Sequence, residues 1–297
     1  MPPKKGTMNP ALAMWYAFWT WFHPHWIRFL LFFLGGVAKP PTRANHNVTI
    51  IGDGVAMGVG DYWVAIGGGA GIANRIKWLI ARRRKIRTKW EYFNGGEVLS
   101  TSADWLPGKK LFDKCFSNGV RGCGKKSEVI VLMIGTQDIL KGEVGMPEEV
   151  LKRPIPAPGE FYKEEELCQT VKNIRDTIRV LLETDPRRRV LLCDIMSGNG
   201  FRLDSEFAHV YDCVNKQIID LTKAKNPLAV GPYDFGDRFP KWVHMSPPKV
   251  VGKRNVKCSD GVHLNSKGYK GISDWVAADI EQAMLQVEFT YLKGMIG

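Results

Sequence analysis

The 297-residue chain is 44% hydrophobic and 24% charged, a globular mixture long enough to bury a full core as one large domain or two modest ones; disorder, collagen and coiled coil are excluded for the chain as a whole. Six cysteines without a CxxC pair exclude a disulfide scaffold and argue against a structural zinc finger. The net charge of +12 is concentrated in one run, Arg75, Lys77, Arg82, Arg83, Arg84, Lys85, Arg87 and Lys89, which contains no acid, so an electrostatic partner should meet that patch.

Residues 1–38 form a hydrophobic, aromatic-rich segment that precedes the first acidic residue, Asp53. Ala11–Val37 carries Trp15, Tyr16, Phe18, Trp19, Trp21, Phe22, Trp26, Phe29, Phe32 and Phe33, interrupted by His23, Pro24, His25 and Arg28. A spanning helix needs about 20 apolar residues, and each half of this stretch alone is too short. Four readings stay open. One is a single anchor, kinked at Pro24 and flanked by Lys4 and Lys5 on one side and Lys39 and Arg43 on the other. The others are an interfacial helix, a secretory signal cleaved near Gly36-Val37-Ala38, and a tail packed on another subunit. Membrane contact is favoured, because ten aromatics exposed on a soluble monomer would promote aggregation. The expected partners of residues 11–37 are therefore a membrane or the subunits of a membrane-protein complex. The chain is expected to be membrane-associated, with organellar and endomembrane locations both open. Residues 39–46, with Pro40-Pro41, read as a linker. Asn47-Val48-Thr49 matches the glycosylation triplet but runs straight into a strand.

From residue 47 to residue 297 one domain is expected. Short apolar, β-branched runs alternate with amphipathic segments. Val48–Ile51, Trp90–Phe93, Glu128–Ile134, Arg189–Asp194 and Leu228–Tyr233 are predicted strands; Glu128–Ile134 is apolar enough to be covered on both faces. Helices are predicted within Val55 to about Arg84, broken or preceded by Gly67–Gly71, and over Phe161–Glu183, Ser205–Lys223 and Ser266–Val287, the last capped by Asn265 or Ser266. This alternation predicts an α/β fold: three layers, α/β/α, around a five-stranded, mostly parallel sheet. Such sheets bind ligands beyond the carboxyl ends of their strands.

Three blocks fall at those ends. Gly52-Asp53-Gly54 follows the first strand, Gly135-Thr136-Gln137-Asp138 follows the central one, and Asp260-Gly261-Val262-His263 precedes the terminal helix. Together, in this order, they resemble the SGNH (GDSL-type) hydrolase superfamily over about Asn47 to Val287, which implies a flavodoxin-like fold and ester hydrolysis. The resemblance places the nucleophilic serine where this chain has Gly54, and an oxyanion-hole asparagine where it has Gln137. The longer glutamine amide sits one methylene further out, and oxyanion donors lose their value when displaced from about 2.7–3.1 Å. The oxyanion glycine is expected within Asn94–Ser102, where Gly95 and Gly96 lie, but Leu99-Ser100-Thr101 fits poorly. Only Asp260 and His263 match the superfamily in full, the aspartate orienting and the histidine acting as base.

The expectation is thus an SGNH-like protein without its nucleophile, serving a structural or binding role, membrane-tethered and an accessory subunit of a larger complex. A divergent esterase or acetylesterase using Asp260 and His263 is the first alternative, with Ser100, Ser102 or Thr136 as substitute nucleophiles or water activated by His263. Binding of anionic lipid or, ranked lower, nucleic acid through Arg75–Lys89 is the second; a solvated helix end or protein contact ranks ahead of both. Asp53 reads as a helix cap before it reads as an orienting carboxylate. His209 and His244 are isolated, and neither they nor His23 and His25 suggest a metal site; no cofactor is expected. Cysteines are either small buried hydrophobes, as for Cys193 in a strand, or partly paired, as for Cys115 with Cys123.

Overall fold

The computed structural model describes Phe18, Phe22 and residues 46–59, 61, 71–83, 85–116, 127–185, 187–195, 205–221, 223, 226–228, 242–245 and 263–296. In chain order the elements are β1 (His46–Gly52), α1 (Gly54–Met57), α2 (Gly71–Arg83), β2 (Trp90–Asn94), α3 (Lys110–Phe116), β3 (Val129–Met133), α4 (Thr136–Lys141), α5 (Glu148–Leu151), α6 (Gln169–Thr184), β4 (Arg189–Cys193), α7 (Ser205–Asp220), β5 (Trp242–Met245) and α8 (Ser266–Ile296). Single 3-10 turns occupy Ser102–Trp105 and Glu164–Glu166.

The five strands run in the order β2-β1-β3-β4-β5, and every pairing is parallel. Strand side chains alternate between two cores, as the two-residue strand period requires. Ile51, Ile130, Leu132, Val190 and Leu192 face α3, α6 and α7 in one core. Val48, Ile50, Val129, Val131 and Leu191 face α2 and α8 in the other. Helices on both faces of a parallel sheet give the three expected layers.

Two helix boundaries differ from those predicted, one predicted span holds two helices, and one predicted strand lies outside the described residues. The helix predicted from Phe161 begins only at Gln169, because Glu164–Glu166 form a separate 3-10 turn whose Lys163 N–H is capped by Glu166 at 2.8 Å. The span from Val55 holds two helices, the four-residue α1 and the longer α2. The fifth strand is Trp242–Met245, whereas the predicted Leu228–Tyr233 lies outside the described residues beyond Leu228. The terminal helix extends past Val287 to Ile296. Its expected cap is in place: Asn265 Oδ1 accepts the backbone N–H groups of Lys267 and Gly268, each at 3.0 Å.

Cys168, Cys193 and Cys213 are buried free thiols; Cys115 is buried in the first core, and Cys123 lies outside the described residues. Of the aromatic amino-terminal segment only Phe18 and Phe22 are described, with rings stacked 5.3 Å apart. Among the described residues no helix is long and apolar enough to cross a membrane.

Candidate functional site

The strand order changes direction between β1 and β3, and the crevice beyond their carboxyl ends is the position where doubly wound sheets bind ligands. Asp53 and Gly54 leave β1 there; Thr136 and Gln137 leave β3 beside them. Asp53 is fully buried. Its Oδ1 accepts the Val55 N–H at 3.0 Å, capping α1, and its Oδ2 accepts the Thr136 N–H at 3.0 Å, tying the two strand ends together. The capping reading of Asp53 is therefore correct but incomplete. Burial pushes its carboxyl up to about 6; its hydrogen bonds and the nearby His263 pull the other way.

His263 arrives from the segment that precedes α8. A Cβ built on Gly54 would lie 2.6 Å from His263 Nε2 and 3.2 Å from its Cδ2. The imidazole edge thus reaches into the position a Cβ would take, and a side chain at this position would require His263 to shift. α8 holds α1 from below: the Tyr269 hydroxyl donates to the carbonyls of Val55 at 3.1 Å and Val59 at 3.0 Å. Asp61 accepts the Nε–H and an Nη2–H of Arg75, each at 2.7 Å, and the Ser266 hydroxyl at 2.9 Å. Arg75 is consequently drawn inward as part of the support for the site and does not belong to the exposed basic run. Asp260 lies outside the described residues.

The loop after β2 is sewn to the same corner. Asn94 Nδ2 donates to the Met57 carbonyl at 3.0 Å, and the Glu97 N–H donates to the Gly52 carbonyl at 2.8 Å. Gly96 packs so closely on α1 that a Cβ would come within 2.3 Å of the Met57 nitrogen, so this position admits only glycine. Within the stretch where the resemblance expects an oxyanion glycine, the left-handed residue is Leu99, at φ +62°; it is the only non-glycine residue with positive φ among those described. A leucine there carries a strain of about 1–2 kcal/mol. Leu99→Gly should therefore raise the unfolding free energy by about 0.5–1 kcal/mol after the extra chain entropy of glycine is subtracted, as read by urea denaturation. The Leu99 side chain is 55% exposed and lines a cavity of about 510 Å³ together with Lys109, Lys110 and Lys114.

The three candidate substitute nucleophiles are near the site but engaged. The Ser100 hydroxyl donates to the carbonyls of Glu97 at 2.8 Å and Gly52 at 3.3 Å, and accepts from Trp105 Nε1 at 3.1 Å. The Ser102 hydroxyl donates to Asp138 Oδ1 at 2.5 Å and accepts from Asn173 Nδ2 at 2.9 Å. The Thr136 side chain hydrogen-bonds to the Asp53 carboxyl. Gln137 is 5% exposed, on the first turn of α4. Asp138, beside it, is a structural hub. Its carboxylate accepts the Ser102 N–H at 2.9 Å and the Thr170 hydroxyl at 2.9 Å in addition to the Ser102 hydroxyl. Nothing in the sequence spacing marks that hub, because its partners lie 36 and 32 residues away.

Among the described residues no cluster of His, Cys, Asp and Glu could hold a metal ion. The His209 ring lies 3.6 Å from the Cys213 thiol on α7, and the side chain of His244 is outside what is described.

No protein-family model matches the chain, and no curated protein matches it. Among solved structures, the lipase Lip_vut3 from a goat rumen metagenome is 16% identical, with 79% of this chain and 97% of that one covered at a TM-score of 0.51. A family 3 carbohydrate esterase from Clostridium thermocellum is 15% identical over 80% and 98%, with a TM-score of 0.49. A lipase/acylhydrolase from Enterococcus faecalis is 14% identical over 80% and 96%, with a TM-score of 0.44. At such identities the likeness is one of fold, and the first of the three carries it: this chain shares the three-layer α/β fold of that lipase.

Proposed function

We propose that this chain is a hydrolase-fold protein that does not perform acyl transfer and acts by binding, held at a membrane through residues 11–37 as an accessory subunit of a larger assembly. The observation that carries the reading is the occupation of the space above Gly54 by His263. An acyl-transfer site needs a nucleophilic atom between the base and the substrate carbonyl. Here the base sits against glycine backbone, with no hydroxyl to deprotonate. Ser100, Ser102 and Thr136 are committed to buried hydrogen bonds, and freeing any of them would leave a partner unsatisfied. Leu99, in place of the expected glycine, and the longer Gln137 further weaken any oxyanion site.

The full chain and a His263→Ala variant, each given p-nitrophenyl acetate, should both hydrolyse it at the buffer rate. A fluorophosphonate probe should leave both unlabelled. Turnover that falls at least about tenfold on removing the imidazole would replace this reading with a divergent esterase in which His263 activates water.

A further inference from the structure

We infer that the edge of the molecule where the strands begin, opposite the candidate site, is a docking surface for an anionic phospholipid bilayer. Several features that are distant in sequence meet at this edge. β1 starts here at His46, whose ring stacks on Trp90 at 4.8 Å and meets Tyr291 edge-on at 5.4 Å. The aromatic stretch 11–37 is therefore joined to this edge by residues 38–45, a link of no more than about 28 Å. α2 ends at the same edge, and the segment between it and β2 exposes Lys85, Arg87 and Lys89 next to Arg83. Arg187 is exposed where β4 begins.

Three carboxylates of the same region, those of Glu281, Glu288 and Glu128, point inward. Glu281 is buried and takes Arg83 at 3.5 Å and Lys85 at 3.3 Å on a single oxygen. Glu288 is buried beneath the loop, accepting the N–H groups of Arg87 at 3.4 Å and Thr88 at 2.9 Å, the Thr88 hydroxyl, and Trp90 Nε1 at 3.1 Å. Glu128 is spent on the Asn47 N–H at 3.0 Å and the His46 ring. These three acids lie below the surface and the cations form its rim; at the start of β4, Asp185 pairs with Arg187 at 3.0 Å and Glu183 is exposed. Between them α8 presents Phe289, 65% exposed, and Tyr291, 50% exposed. One turn up α2, Arg82 lies over the exposed Trp78 ring, 3.3 Å from its centroid.

Cations mixed with exposed aromatics, beside a chain end that leads into ten more aromatics, is the chemistry of a headgroup interface. Docked this way, the candidate site at the other end of the strands, about 20 Å away, faces the aqueous phase.

The test is co-sedimentation of the full chain with vesicles of phosphatidylcholine alone and of phosphatidylcholine with 30% phosphatidylserine. The ratio of the two partition coefficients cancels whatever the apolar segment contributes to both. The triple variant Lys85→Gln, Arg87→Gln, Lys89→Gln should lose roughly 100-fold of the binding to anionic vesicles, because each cation near such a surface contributes about fivefold. Its binding to phosphatidylcholine should be unchanged. The control Lys152→Gln, Lys163→Gln, Lys270→Gln, of equal charge, should change by less than about threefold. If the first triple does not fold, the unmodified chain still decides the matter, because its preference for anionic vesicles should collapse in 0.5 M salt. No preference for phosphatidylserine, a preference that survives the first triple, or an equal loss in the control would overturn the inference. So would salt-dependent binding of a single-stranded RNA that disappears in the first triple without any gain on anionic vesicles.

Discussion

Replacing Asp138 by alanine should lower the unfolding free energy by about 3–5 kcal/mol, a large fraction of what holds a domain of this kind together. The carboxylate sits at the start of α4 and accepts three hydrogen bonds: two from Ser102 and one from the Thr170 hydroxyl on α6. All three donors are buried. Each orphaned buried donor costs about 1–3 kcal/mol, and the losses couple, because Asn173 bonds to the same Ser102 hydroxyl. Asp138→Asn should recover only part of this, since its amide would turn a donor toward donors. Thr170→Val should cost about 1 kcal/mol, because it removes the acceptor's partner without stranding the carboxylate. Urea unfolding followed by tryptophan fluorescence resolves the three. A loss below about 1 kcal/mol for Asp138→Ala would show that the network does not hold the site loops in place.

The second large effect depends on pH. Asp53 carries a folded-state value of about 6 against 3.8 for the free group. Between those two values the folded chain holds a proton that the unfolded chain has released. Stability contributed at this position is therefore highest in acid and falls as pH rises through the window from about 4 to 6, flattening above about 7. The total drop is about 3 kcal/mol, from 1.36 kcal/mol for each unit of displacement. In Asp53→Asn this slope should vanish. Subtracting its unfolding free energies from those of the unmodified chain, across pH 4 to 8, isolates the group from the other carboxylates. A difference that is flat, or that rises with pH, would show that the two backbone N–H groups and His263 outweigh the burial of the carboxylate.

Much of the scaffold was readable from residue order. Glu128–Ile134 and Arg189–Asp194 are apolar without alternation because both faces of a parallel sheet are covered, and the strands formed there within one residue. Asn265 caps α8, as its place just before the terminal helical pattern predicts. The expected helix at Phe161 failed because amphipathic spacing does not register a local competitor: Glu166 bonds back to Lys163 and closes a separate turn. The strand Trp242–Met245 was not anticipated, and the predicted Leu228–Tyr233 lies outside the described residues beyond Leu228. A four-residue edge strand carries too few positions for a period to be distinguished from a loop.

For the site, the sequence by itself determined the inventory: a glycine after Asp53, a glutamine after Thr136, a histidine before the terminal helix, a basic run and an aromatic amino-terminal segment. It determined these because strand ends and caps are local features. What only the tertiary structure decided is how that inventory is used. His263 lies over Gly54, Arg75 is spent on Asp61, Ser100 and Ser102 are locked, and Leu99 holds the left-handed position. The carboxylates of α8 reach back about 200 residues to lie under the basic loop. Burial and hydrogen-bond partnership are properties of pairs of atoms brought together by the crossovers of a parallel sheet, and a linear pattern of residue types does not encode which pairs those are.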